Sequence, residues 1–264
     1  HELSNKGVNF MPNSKVIELK GDRFVEEIVM DNGKMIKFPK FEGVKQTGIV
    51  VFAIGMKPEI SILDGTGIKA ERDGILINEK MESNIEDVYA VGDCAQFYSG
   101  IDGKVLSGKL ATNAVPMAKI LGFNLLGQNR IYKGFYNGGA TKVGQYFVGG
   151  TGFSERVAIQ RGFDVICGYS EVTTKFPIMP TMKHKWMKLI VDKKTHKILG
   201  AQILSGEPVV ARIDLITYAI QKKSTVEDLT ELSYASQPHQ SFYPAANLIV
   251  LAAEDVLKKI NKES

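Results

Sequence analysis

An α/β segment followed by an α+β domain is the fold class the sequence predicts, and three observations predict it. Two short apolar runs, Gly48 to Gly55 and Val88 to Val91, are bounded by glycines or stop at one, the texture of strands buried on both faces. Ala111, Val115, Ala118 and Leu121 then fall at helical spacing behind the second run. Beyond about residue 126, glycine-punctuated strands give way to helices, the sign of a separate α+β domain.

Length and composition set the frame. At about 150 residues per domain, 264 residues suggest two domains, and 44% apolar with 23% charged residues describes a folded chain with a real core. The net charge of +4 comes from lysines scattered among acids, which argues against a nucleic-acid footprint. Cys94 and Cys167 are too far apart for a Cys-x-x-Cys redox or zinc pattern, so a reducing, cytoplasmic setting is expected. No run approaches the roughly 18 to 20 apolar residues of a membrane helix, and the N-terminus lacks a signal-peptide profile. The chain begins His1-Glu2-Leu3 without methionine, as a piece of a longer protein does.

The elements follow in order. Lys15 to Leu19, Phe24 to Met30 and Lys34 to Phe38 read as an antiparallel meander, with Asp31-Asn32-Gly33 as the turn between the last two. Gly48 to Gly55 reads as a buried strand, as does Val88 to Val91, which stops at Gly92-Asp93. Because proline is harmless only in a first turn, Pro116 places the start of the next helix near Thr112 or Asn113. Strand, glycine-acid turn and helix N-terminus together make ligand-binding geometry in α/β folds. Strands are expected over 142–148, 165–170, 187–191 and 198–204, and Gly149-Gly150-Thr151-Gly152 as a turn. Val209, Ile213, Ile216 and Ile220 mark one helix, Thr225 to Asp228 resembles a capping box, and Pro244 opens a last helix running to about Ile260.

Motifs are first informative by absence. There is no Gly-x-Gly-x-x-Gly, no Gly-x-Ser-x-Gly, no His-Glu-x-x-His and no phosphate-binding Gly-Lys-Ser/Thr loop, and the four histidines are scattered, so no metal site is expected. Two segments carry more. Val51-Phe52-Ala53-Ile54-Gly55-Met56-Lys57-Pro58 resembles the strand end A-(T/I)-G-x-x-P of the pyridine nucleotide-disulfide oxidoreductases, the flavoproteins with two dinucleotide-binding domains. Glu82 to Asp93, ending Val88-Tyr89-Ala90-Val91-Gly92-Asp93, is similar to that family's flavin motif T-S-x-x-x-V-Y-A-x-G-D. The likeness extends over Tyr136 to Val256 and points to the branch of NADH oxidases and coenzyme A-disulfide or polysulfide reductases.

The resemblance implies a partial Rossmann-like FAD/NAD(P)-binding segment followed by an α+β dimerisation domain. It divides the chain into the end of an NAD(P)H-binding domain (1–42), the second segment of an FAD-binding domain (43–125) and the dimerisation domain (126–264). This would be the C-terminal part of an FAD-dependent NAD(P)H oxidoreductase, with the redox cysteine and both glycine-rich loops outside it, and with little hold on FAD by itself. NAD(P)H would reduce FAD, which passes electrons to a disulfide, polysulfide or oxygen, in a homodimer formed through the C-terminal domain.

The resemblance also proposes residues. Asp93 would hold the flavin's ribitol chain while Gly92 admits the cofactor's close approach, and Leu110, Ala111 and Thr112 would present a helix N-terminus to the flavin's pyrimidine edge; a helix cap and a plain packing helix are the alternatives. Gly55 is either structural or a backbone neighbour of the nicotinamide. Cys94 reads as packing. Ser233 to Pro244 resembles the segment that reaches a partner's active site, but Ser236 and the order Gln237-Pro238-His239 depart from the family pattern. His239 is therefore either a proton donor or an ordinary loop histidine, and Tyr234 and Phe242 are interface or core aromatics. Two rival functions stand beside this one: a cysteine-free reductase serving a small redox protein of the rubredoxin or ferredoxin kind, and a non-enzymatic dimerisation module.

Overall fold

The computed structural model describes residues 2–39, 42–43 and 48–263, which divide into two compact units, residues 1–56 and 57–264. No helix among the described residues is long and apolar enough to cross a membrane.

In the first unit a single helical turn, α1 (Glu2–Asn5), precedes the expected antiparallel meander β1 (Val16–Lys20), β2 (Glu27–Met30) and β3 (Met35–Lys37), in that order across the sheet. Gly33 adopts φ +78° at the β2–β3 turn, where Met30 donates to the Lys34 carbonyl at 3.0 Å. The buried strand expected over 48–55 is not formed. Ile49 is 79% and Ile54 89% exposed, and no described strand pairs with this run. A strand of a parallel sheet needs a neighbour on each edge to take its N–H and C=O groups, and apolar character alone does not supply one.

The second unit opens on short ladders: β4 (Ala70–Glu71) with β5 (Gly74–Ile75), and β6 (Phe97–Tyr98) with β7 (Val105–Leu106). Helix α2 (Ala111–Leu125) follows. Ile75, Met81, Ala95, Phe97, Met117 and Phe135 form their common core. Val88 to Val91 was expected as a strand but makes one isolated antiparallel bridge, Tyr89 with Glu82, leaving Ala90 buried.

The rest is a five-stranded antiparallel sheet in the order β10-β11-β12-β9-β8. Its strands are β8 (Gly139–Val143), β9 (Tyr146–Gly152), β10 (Val165–Thr173), β11 (His184–Asp192) and β12 (Ile198–Ser205), with α3 (Glu155–Gln160) between β9 and β10. Helices α4 (Val210–Gln221), α5 (Val226–Thr230) and α6 (Leu248–Glu263) complete the chain, and the large core lies between them and the sheet. Three expectations are corrected. The strand expected over 142–148 is a hairpin turning at Gly144 and Gln145. Gly149 to Gly152 lies in β9 instead of a turn, because the strand must pass close to its neighbours: a Cβ at position 149 would stand 2.7 Å from Ile213 Cγ1, and one at 152 would stand 2.1 Å from the Leu199 carbonyl. Pro244 opens a separate 3-10 turn, and α6 starts at Leu248, where Asn247 Oδ1 accepts from the Ile249 and Val250 N–H groups at 3.0 and 3.4 Å.

A buried ion pair joins the two parts of this unit. Arg161 Nη1 donates to both oxygens of Asp102 at 2.9 and 2.8 Å, and its Nη2 donates to the Val105 carbonyl at 3.0 Å. Burial opposes the charged form of Asp102, but the hydrogen bonds from Arg161 outweigh it and hold the carboxyl below its ordinary 3.8. The pair therefore stabilises the fold above that value and is lost as pH falls through the lowered one.

Two outcomes are expected. Asp102→Asn costs about 3 kcal/mol in denaturant unfolding at neutral pH, and the gap to the wild type narrows in acid below the ordinary value of 3.8. At Gly168 an added Cβ would stand 2.0 Å from the Ala252 carbonyl and 2.6 Å from Val256 Cγ2, so Gly168→Ala should push α6 off β10 and cost about 2 kcal/mol in the same measurement.

Candidate functional site

The structure brings the Gly92–Asp93 turn onto the start of α2. Val91 arrives extended (φ −141°, ψ 156°), and Gly92 to Cys94 make a 3-10 turn closed by the Ala95 N–H on the Gly92 carbonyl at 3.1 Å. Gly92 has φ +75°, and a Cβ there would come within 3.3 Å of Ala114 Cβ on α2. Glycine thus answers both the left-handed backbone and the close approach. Asp93 is exposed, and its carboxylate makes no hydrogen bond to any described residue. Cys94 is half-buried and donates to the Val91 carbonyl at 3.3 Å, a packing arrangement.

Helix α2 begins with Leu110 as its extended N-cap (φ −140°, ψ 140°), whose carbonyl accepts from Asn113 and Ala114 at 2.9 and 3.1 Å. No side chain caps this end, and Leu110, Ala111 and Thr112 are all exposed. The result is a helix terminus with free donors and partial positive charge beside a free carboxylate. The start at Ala111 is earlier than the proline rule predicts, so Pro116 lies inside the helix. It is exposed, so its ring projects from the packed side, and the missing N–H falls where Thr112, itself exposed, would be the acceptor.

Sequence reasoning missed the two residues that brace this arrangement. Lys109 is 6% exposed; its Nζ donates to the carbonyls of Asp73 (2.7 Å) and Ala95 (2.8 Å) and lies 4.8 Å from the Phe97 ring centre. It pins the backbone just after the turn. Burial pushes its pKa down against the pull of Asp73, Asp93 and Cys94. Buried Asn113 accepts from the Tyr132 hydroxyl at 2.5 Å and donates to Met117 Sδ at 3.5 Å, while burial pushes the Tyr132 phenol up. Nothing in Ser107-Gly108-Lys109 announces a buried ammonium, because the tripeptide reads as polar turn. Leu110 and Gly108 line a cavity of about 570 Å³ that reaches Tyr136 and Thr151, and Thr112 and Asn113 line another of about 220 Å³ that reaches Asp214.

Two sequence-predicted residues stand apart. Gly55 lies in the first unit, exposed, at φ +111°. His239 sits exposed in a loop closed by Ser236 Oγ donating to the Phe242 carbonyl (2.6 Å) and the Gln237 N–H donating to Ser241 Oγ (3.1 Å). Its backbone N–H donates to Gln237 Oε1 at 2.8 Å, and no hydrogen bond joins its ring to the Gly92–Asp93 turn. Tyr234 stacks edge-on against Phe242 and donates to the Pro244 carbonyl at 2.7 Å.

These features define a class first: an α/β segment with a glycine-acid turn at a bare helix terminus, carried on an α+β sheet domain. Known proteins narrow it. Models of the pyridine nucleotide-disulphide oxidoreductases match residues 1–118, and of their dimerisation domain residues 140–245. The chain belongs to the pyridine nucleotide-disulphide oxidoreductase family. It is 30% identical to an NADH oxidase of Methanocaldococcus jannaschii over 261 residues, which are 99% of this chain and 55% of that protein. It is also 30% identical to a CoA-dependent NAD(P)H sulfur oxidoreductase of Pyrococcus furiosus, over 89% of this chain and 51% of that one. Among solved structures, a NAD-dependent persulfide reductase from A. fulgidus superposes with TM-score 0.88 at 26% identity, covering 98% of this chain and 46% of that one. The chain spans about half the length of the curated relatives it matches.

Proposed function

We propose that this chain is the C-terminal part of an FAD-dependent NAD(P)H oxidoreductase, with residues 1–42 ending an NAD(P)H-binding domain, 43–125 completing an FAD-binding domain and 126–264 forming the dimerisation domain. The observation that carries the reading is the exposed, unpaired Asp93 carboxylate beside the bare N-terminus of α2. When bound, FAD supplies the electron carrier between NAD(P)H and a disulfide, polysulfide or oxygen.

The donor set fits that group. Asp93 would accept hydrogen bonds from vicinal hydroxyls of the ribitol kind, since its carboxylate makes no hydrogen bond to a described residue. Gly92 keeps side-chain bulk out of the approach. The free N–H groups of Ala111 and Thr112 would favour negative charge on an electron-rich ring edge placed at that terminus. Lys109 acts one step back, holding the turn. Gly55 would bring its backbone to the nicotinamide, and His239 would donate a proton to the reduced acceptor. The free thiols Cys94 and Cys167 suit a reducing cytoplasm. The unit's second copy would cover the outward face of α4, where Val210 and Tyr218 are 54% and 56% exposed.

Flavin fluorescence titration of the full-length enzyme, stripped of its flavin, tests the site. Asp93→Ala should weaken FAD binding by about tenfold or more, the loss of charge-assisted hydrogen bonds; equal affinity removes Asp93 from the flavin site. In the enzyme, His239→Gln should slow acceptor reduction and alter its pH profile at unchanged flavin content, and an unaltered profile removes His239 from the chemistry. Sedimentation at micromolar concentration should show dimers, and a monomer there contradicts the assigned partner.

A further inference from the structure

Strand β11 alternates outward His184, Trp186 and Lys188 with inward Lys185, Met187 and Leu189. A lysine therefore occupies a core position, directly across from Val172 on β10 and Ser205 on β12. Lys185 is 1% exposed, and its Nζ is buried without a hydrogen-bond partner. An ammonium that loses its water and gains no acceptor is unfavourable unless it gives up its proton. What it does meet is the ring of Phe242, whose centre lies 4.7 Å from Nζ. An aromatic face attracts the charge but is a poor substitute for water.

Phe242 ends a segment with little hold on the rest of the fold. Of residues 236–242 it alone is buried. The segment's hydrogen bonds close on itself: Ser236 Oγ donates to the Phe242 carbonyl at 2.6 Å, the Gln237 N–H donates to Ser241 Oγ at 3.1 Å, and the Gln237 carbonyl accepts from Gln240 and Ser241 at 3.0 and 2.9 Å. Towards the sheet domain, the Phe176 N–H reaches the Pro238 carbonyl at 3.5 Å, longer than an ordinary hydrogen bond. The result is a self-closed strap whose buried anchor is one ring, and that ring sits on the lysine. Other groups around Lys185 leave its ammonium without an acceptor. β10 and β12 set Val172 and Ser205 opposite it. Burial, helped by the charge of Arg212 on α4 and opposed by that of Glu207 beyond β12, drives its pKa from 10.5 down to about 7. Glu207 is itself engaged by Lys175 at 3.3 Å.

We propose that residues 236–242 form a proton-gated strap: Phe242 seats over Lys185 while the amine is neutral, and protonation lifts the ring so that water reaches the ammonium. In the open strap the lysine is hydrated and titrates near its ordinary 10.5, whereas in the closed one it titrates near 7. Closure is therefore firmest above 10.5, weakens as pH falls from there to about 7, and stays weak below. The opening constant rises by about two orders of magnitude between about pH 9.5 and about pH 6. Because the strap carries His239, the protonation of a lysine in the sheet sets where that imidazole stands. The strap is separate from the Gly92–Asp93 turn and does not depend on the flavin reading.

Fluorine NMR of the full-length protein, with p-fluorophenylalanine incorporated in place of Phe242, tests it. The H2O/D2O isotope shift of the fluorine grows with solvent exposure, so it should be small at about pH 9.5 and at least about twofold larger at about pH 6. Lys185→Met, which keeps the bulk and removes the charge, should hold the shift small at both values. Its unfolding midpoint checks that it folds, and Lys185→Leu gives the same comparison with a second apolar side chain. His239→Gln should keep the full pH response, since the imidazole on the strap is not the group that gates it. A shift that does not change with pH, a response that survives in both Lys185 variants, or one that disappears in His239→Gln overturns the proposal.

Discussion

The pair between Asp102 and Arg161 ties the segment that holds the glycine-acid turn to the sheet domain, and that segment has little of its own to stand on. Its ladders, β4 with β5 and β6 with β7, are each two residues long, too short to persist without neighbours. Its apolar core is small and closes only with Phe135, which meets Phe97 edge-on at 5.9 Å. Phe135 also donates to the Tyr98 carbonyl at 2.8 Å and accepts from Gly100 at 3.0 Å. Apolar contact and backbone pairing bring the β6–β7 hairpin to the sheet domain. Arg161 adds a further tie, since its guanidinium reaches the Asp102 carboxylate and the Val105 carbonyl at once. With Asp102 at 8% and Arg161 at 19% side-chain exposure, breaking that geometry leaves a charge in a poor solvent.

Position is what the glycine-acid turn needs. Gly92 is held at positive φ against Ala114, and the consequence is that Asp93 points outward with no protein partner to satisfy it. An aspartate at a helix start normally caps that helix; here the cap position belongs to Leu110, which has no side-chain acceptor. The acid and the donors thus make no hydrogen bond to each other and are left available to a third group. Lys109 contributes by being below them, where its two carbonyl bonds fix the backbone that follows Cys94.

Period and turn chemistry made much of the sheet domain legible. β10, β11, β12, α4 and the Asp228 carboxylate accepting from the Thr225 N–H at 2.7 Å lie where alternation, helical spacing and the capping box put them. Gly92, Asp93 and the start of α2 were also readable, from the resemblance of Glu82 to Asp93 more than from spacing. The failures share a cause. Gly48 to Gly55 has the apolar texture of a buried strand but no described neighbour, and strand formation depends on partners distant in sequence. Gly149 to Gly152 looks like a turn because glycine permits turns, whereas β9 uses it for lack of bulk, a fact set by Leu199 and Ile213 some fifty residues or more away. Lys109 and Asn113 carry no local signal, since what makes them important is burial.

Burial does not mean the same thing for every lysine. Lys109 and Lys185 are both almost fully enclosed, both face an aromatic ring at under 5 Å, and both have their charged form disfavoured by loss of water. They differ in what replaces the water. Lys109 has two backbone carbonyls and the field of Asp73 and Asp93, so its ammonium is a completed structural joint. Lys185 has only the face of Phe242 and the repulsion of Arg212, and Glu207, the one acid acting on it, is engaged by another lysine. An aromatic face offsets part of the cost of a buried cation but supplies no hydrogen-bond acceptor. The alternation of β11 would have been met by leucine or methionine at this position without cost. The hydration that Lys185 loses is thus replaced only in part by the fold.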